Sequence, residues 1–158
     1  MRKTPDRLLQ LKQLALLDTA PERVYDDLTR LVAQSLDVPI AMVNLLDAER
    51  DWFKSCIGLP MEESPAETSF CEVFFGTTDD LVAVNDTTLD ARFASHPLVA
   101  GPPNIRFYAA ARLTVNEQTV GTLCVYDMKP HEVTQAQLAD LQALANAAME
   151  LLRARTRS

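Results

Sequence analysis

The sequence predicts an α+β domain in which an antiparallel sheet is covered on one face by helices from the two ends of the chain. Three observations predict it. Long segments with helical periodicity lie only at the ends, the runs between them are β-branched and apolar, and neighbouring runs are joined by short polar turns. The 158 residues suit a single domain, 1–158, with one core.

The elements follow in order. Thr4-Pro5-Asp6 opens a first helix, expected over about 5–17, because proline at the first helical position loses no bond that the helix would make. Thr19-Ala-Pro-Glu22 has the spacing of a capping box, and Val24, Leu28, Leu31 and Val32 follow at helical steps, so a second helix is expected over about 20–36. Ile40–Leu46 and Trp52–Ile57 read as a hairpin that ends at Gly58, and Pro60–Thr68 reads as loop. Ser69 and Glu72 match S-x-x-E and start a short helix. Leu81–Val84 is a short strand. The segment from Thr87 to Asn104 is loop-rich. Ile105–Val115 alternates as a half-buried strand, with Phe107, Ala109, Ala111 and Leu113 on one face and Arg106, Tyr108 and Ala110 on the other. Thr119–Asp127 returns beside it. Thr134 and Gln137 cap a last helix over about 134–155, in which Leu138, Leu141, Ala145, Ala148 and Leu152 form a seam. The uncovered face of the sheet is left for loops and a ligand.

Composition narrows the function. At 47% hydrophobic and 23% charged residues the chain is an ordinary globular protein, which excludes disorder. A net charge of −7 argues against nucleic acid and anionic membrane surfaces, since both are bound by clustered Lys and Arg. No run approaches the ~18 apolar residues of a membrane span. With three cysteines, an odd number that suits a reducing compartment, the expected location is the cytoplasm. C-x-x-C, H-x-x-x-H, G-x-G-x-x-G and G-K-[ST] are absent, so no metal, cofactor or nucleotide hydrolysis is expected.

Nine short motifs carry a resemblance. They are Leu17-Asp-Thr, Pro39-Ile-Ala, Asp51-Trp-Phe-Lys-Ser, Ser69-Phe-Cys, Asp90-Ala-Arg-Phe, Pro97-Leu-Val, Gly101-Pro-Pro, Ile105-Arg-Phe-Tyr-Ala and Gly121-Thr-Leu-Cys-Val-Tyr-Asp. Together, from about Leu8 to Leu152, they resemble bacterial GAF domains of the kind found in sensor histidine kinases and diguanylate cyclases. Ala110 departs from the glycine usual in that group. The resemblance implies a PAS-related central antiparallel sheet of five or six strands, sensory or regulatory work, and a homodimer formed through terminal helices. The Asn-Lys-Phe-Asp-Glu set of cyclic-nucleotide binders is missing. Cys71 is followed by Glu72 rather than the histidine of tetrapyrrole binders.

The candidates for binding a small molecule are polar residues on otherwise apolar strands: Asn44, Trp52, Lys54, Arg106, Tyr108 and Tyr126, with Cys71 at the pocket wall. Lys54, Arg106 and Arg112 favour an anion. The alternative is that Lys54 and Arg112 reach solvent while Arg106 pairs with Asp90 or Asp127. In a first helical turn Cys71 gains thiolate character from the helix dipole, which Glu72 opposes; the other reading is a small buried residue. A catalytic Cys71 belongs only to the alternative function, a thiol-dependent reductase resembling free methionine-(R)-sulfoxide reductase. Cys56, Cys71 and Cys124 do not reproduce that family's motif. Otherwise the chain is expected to be non-enzymatic, with a small molecule, a second copy or a separate signalling protein as partner. Leu144 and Leu151 lie off the seam of the last helix and are expected to face a partner helix. His96 in the long loop is a candidate pH-sensitive group.

Overall fold

The computed structural model describes residues 1–156. Pro5 sets the first turn of α1 (Pro5–Gln13), while the Thr4 hydroxyl donates to the Met1 carbonyl instead of capping. The helix ends earlier than its apolar pattern suggests. Ala15 and Asp18 adopt positive φ of 53° and 63°. The unwound turn lets Leu14 and Leu16, two residues apart, both enter the core, which an intact helix would forbid. Helix α2 (Arg23–Leu36) starts after an extended Glu22, without a Thr19 cap; the Thr19 hydroxyl donates to Leu16 O.

Strands β1 (Ile40–Leu46) and β2 (Arg50–Ile57) form the expected hairpin. Part of the following loop is a three-residue strand, β3 (Glu63–Pro65), paired with Arg50–Trp52. Beyond it come β4 (Leu81–Val84), a one-turn helix α3 (Pro97–Ala100), β5 (Phe107–Val115) and β6 (Gln118–Asp127). The six strands make one antiparallel sheet in the order β3-β2-β1-β6-β5-β4. Helix α4 (Gln135–Thr156) opens on the reciprocal cap read from the sequence: Gln137 N donates to Thr134 Oγ1 at 3.1 Å and Thr134 N to Gln137 Oε1 at 3.0 Å.

Both faces of the sheet are buried. Helices α2 and α4 cover one, where Ala41, Val43, Leu45, Phe107, Ala109, Leu123 and Val125 meet Leu28, Val32, Leu141, Ala145 and Leu152. Leu144 and Leu151, expected to face a partner, instead pack partly buried against this core. The opposite face holds a second core of Ile40, Met42, Phe53, Phe70, Phe74, Tyr108, Cys124 and Tyr126 under the loops. β5 is therefore not half-buried, because Tyr108 and Ala110 are as inaccessible as Phe107 and Ala109. Gly121 sets the spacing between β1 and β6. A Cβ there would lie 2.2 Å from Asn44 O, so only glycine lets β1 approach closely at that point.

Candidate functional site

The loop face of β1 and β2 places Asn44 and Asp51 side by side. Asp51 is a carboxylate only 2% exposed, and such a charge persists inside a protein only when it is paired and hydrogen-bonded. Three segments meet that need. Arg2 Nη1 approaches Asp51 Oδ1 at 2.9 Å, Asn44 Nδ2 donates to Oδ2 at 3.0 Å, and the Ser69 hydroxyl donates to the same oxygen. Arg2 also donates to Asp47 O at 2.9 Å and reaches Glu72 at 3.4 Å. Behind it Arg7 donates to Arg2 O at 2.7 Å and Leu46 O at 2.6 Å. Burial, and then the Arg2 charge, lower the Arg7 pKa to about 10. Ser69 also caps the 3₁₀ turn Phe70–Gly76, its Oγ accepting from Cys71 N at 3.2 Å. Glu72 takes no part in that cap and turns to Arg2.

Above Asp51 lies a cavity of about 120 Å³ whose lining includes Asn44, Asp51, Phe53, Ser69, Phe70 and Tyr126. A mainly apolar lining with a few placed polar groups is the usual make-up of a ligand site. Phe70 is its central ring, 5.3 Å from Tyr108, 5.4 Å from Tyr126, 5.2 Å from Phe93 and 4.3 Å from His96. Of the residues singled out in the sequence, Asn44 and Tyr126 line this cavity. Cys71 and Tyr108 stand behind its wall, fully buried.

Cys71 Sγ lies 3.2 Å from the Tyr108 hydroxyl, 3.1 Å from Thr122 Oγ1 and 3.7 Å from Asn44 Nδ2. Burial opposes ionisation of Cys71, whereas hydrogen bonds from Cys124, Thr122 and Tyr108 favour it; the neighbouring Cys124 is pushed well above its ordinary value, first by burial. Burial also raises the hydroxyls of Tyr108 and Tyr126, so both are neutral.

Trp52 and Lys54 point away from the cavity. Trp52 belongs to the helix-side core. The β1–β2 pairing steps from Val43–Ser55 to Asn44–Phe53, leaving Lys54 as the extra residue of a bulge. Lys54 Nζ meets Glu22 at 2.6 Å, Ala20 O at 2.6 Å and Thr19 Oγ1 at 2.8 Å. A wider hollow of about 680 Å³ lies beside these residues, where Asp26 accepts from Ser55, Asp18 pairs with Arg50 and Arg30 with Asp27. Arg106 donates to Val99 O at 2.8 Å and Ile105 O at 3.3 Å, and Arg112 to the carbonyls of Phe74, Thr77 and Asp79. These arginines brace loops, and Asp90 and Asp127 pair with Arg92 and His131 instead. Among the described residues no cluster of three His, Cys, Asp or Glu side chains could hold a metal ion, and no helix is long and apolar enough to cross a membrane.

Sequence reasoning missed Asp51 and Ser69 as cavity residues, and missed Arg2 altogether. An acid inside an apolar strand, Asp51 before Trp52 and Phe53, was the available signal. Nothing local marked Arg2.

The sequence matches the GAF domain over residues 20–152, and the chain belongs to that family of sensory signal-transduction domains. It is 34% identical over 145 residues to a cyclic di-GMP phosphodiesterase of Pseudomonas aeruginosa, covering 90% of this chain and 24% of that protein. The chain thus spans about a quarter of that relative's length. The GAF domain of an Acinetobacter phosphoenolpyruvate-protein phosphotransferase superposes with a TM-score of 0.64 at 15% identity over 94% of both chains. A type II free methionine-R-sulfoxide reductase from Thermoplasma acidophilum gives 0.63 at 11% identity, over 80% of this chain and 88% of that one. Likeness at these identities is likeness of fold.

A titratable group, His96, stacks on the Phe70 ring of the cavity wall. His96 Nδ1 accepts from Leu98 N at 3.0 Å, and its other ring nitrogen, 3.2 Å from Thr68 O, donates there, a pattern only neutral histidine can make. Burial lowers the His96 pKa. The unfolded chain then binds more protons on acidification, so the contribution of His96 is intact above about pH 6.5 and is lost as pH falls through the folded value. Asn can make the same helix cap without titrating. Urea unfolding should therefore show the stability advantage of the wild type over His96→Asn shrinking between pH 7 and pH 5; an advantage that grows would contradict this role.

Proposed function

We propose that the chain is a non-enzymatic sensory module that takes a small molecule into the loop-face cavity and passes the event to its terminal helices. The observation that carries this reading is the line of contacts from the cavity to both ends. Asp51 lines the cavity and pairs with Arg2, one turn ahead of α1. At the other end, Arg155 of α4 donates to Leu14 O at 2.8 Å and Ala15 O at 3.1 Å, just past α1. A ligand that shifts Asp51 or Ser69 changes what holds Arg2, and so favours one placement of α1 over another. Such a difference in affinity is the only means by which a ligand moves an equilibrium.

The output is a homodimer interface or a separate signalling protein. Val24 and Leu31, seven residues apart on α2, are 49% and 46% exposed and offer an apolar stripe for a second copy. The relation to a cyclic di-GMP phosphodiesterase supports control of cyclic di-GMP turnover as the process served. Absence of catalysis is supported by the burial of Cys71, which keeps a substrate sulfur from its thiol.

Native mass spectrometry of protein purified from its own cells should show a dimer that retains a small molecule; a bare monomer would overturn the reading. Incubation with methionine sulfoxide and a dithiol reductant should yield no methionine above a protein-free control. Turnover that Cys71→Ser abolishes would make the chain an enzyme instead.

A further inference from the structure

Resting on the sensory reading, we infer that the loop-face cavity answers to protons, received by His96. The neutral ring staples two parts of the cavity wall together, and protonation releases one of them. On one side Thr68 ends the 3₁₀ turn Ala66–Thr68, and on the other Leu98 lies in the single turn of α3; both residues line the cavity. The His96 ring spans them, with Nδ1 accepting from Leu98 N at 3.0 Å and the other ring nitrogen 3.2 Å from Thr68 O. It also stacks on Phe70, a third residue of the wall, with ring centroids 4.3 Å apart.

The two bonds respond oppositely to a proton. Nδ1 accepts only while it is unprotonated, so an imidazolium turns a donor toward Leu98 N–H and that bond is lost. Nε2 donates to Thr68 O in both states, and the bond strengthens when the ring is charged. A protonated His96 therefore stays with the turn at Thr68 and lets go of α3. Leu98 packs partly buried against the second core, and its carbonyl accepts from Ile105 N at 2.8 Å. Slack in α3 thus reaches Leu98 and Ile105, which both line the cavity.

Protons reach the ring without entering the cavity. Ser69 and Phe70 line both the cavity and an outer hollow of about 430 Å³, and His96 lines the outer one. Glu72 and Arg92 share that hollow with it. Arg92 pairs with Asp90 at 2.9 Å, and Glu72 reaches Arg2 at 3.4 Å. Glu67, beside Thr68, is exposed, and burial keeps the hydroxyls of Tyr108 and Tyr126, packed against Phe70, neutral. The charges around the ring are engaged or in solvent, so burial dominates its titration and lowers the His96 pKa, the bond to Thr68 O opposing. The staple is therefore closed above about pH 6.5 and opens as pH falls through the folded value.

The test is an NMR titration of the full chain between pH 7.5 and pH 5. The His96 ring should titrate with a midpoint below about 6.5, and the Leu98 and Ile105 methyl signals should shift with the same midpoint. Protection of the Leu98 amide against hydrogen exchange, corrected for intrinsic exchange, should fall about fivefold over that range, the size of effect that loss of a helix cap gives. His96→Asn, which caps α3 without titrating, should leave the methyl signals and the protection flat. His131→Asn, which removes the other histidine, should leave the wild-type response intact. Should His96→Asn fail to fold, agreement of the ring and methyl midpoints in the wild type and in His131→Asn decides. Methyl signals that stay still while the ring titrates, or that still titrate in His96→Asn, overturn the inference. If they stay still although native mass spectrometry finds a retained molecule, the proton staple is wrong and the sensory reading stands. If they titrate with His96 and no molecule is retained, the staple stands and the small-molecule part of that reading falls.

Discussion

The Asp51 carboxylate is the constraint on which the loop face depends. A charge held at 2% exposure obliges its surroundings to supply donors, and those donors come from positions 2, 44 and 69. Satisfying one side chain therefore fixes the start of the chain, the middle of β1 and the 3₁₀ turn that carries Phe70. Removal of one partner from a buried pair commonly costs about 3–5 kcal/mol, because the other charge is left stranded. The cavity, its aromatic wall and the approach of α1 are set by the same contacts.

The sheet makes that arrangement workable. With α2 and α4 on one face and loops on the other, both sides of β1 and most of β5 and β6 are buried, in two separate cores. Close approach of β1 and β6 at Gly121 brings Asn44 beside the Thr122–Cys124 segment, which is why Cys71 and Thr122 meet at 3.1 Å. The thiol that looked reactive in the sequence is a packed hydrogen-bonding residue at the back of the cavity.

What could be read from the sequence was local. Caps at Ser69 and Thr134, the hairpins and the seam of α4 are encoded within a few residues, and each is found. The end of the first helix and the start of the second differ from the pattern, the former because tertiary burial overrides it, as when Leu14 and Leu16 unwind α1. Lys54 and Trp52 were assigned to the pocket because strict alternation says nothing of which face is which, and a bulge at Lys54 breaks it further. The Arg2–Asp51 pair joins residues 49 apart and leaves no trace in periodicity. The anion preference inferred from Lys54, Arg106 and Arg112 fails for the same reason, since each cation is engaged away from the cavity.

A double-mutant cycle on Arg2→Ala and Asp51→Ala, followed by urea unfolding, tests the central claim most directly. If the pair is the joint between cavity and terminal helix, each single change is strongly destabilising and the double variant is less destabilised than their sum by about 2–3 kcal/mol. Additivity to within about 0.5 kcal/mol would mean that the two residues act independently, and would contradict the account.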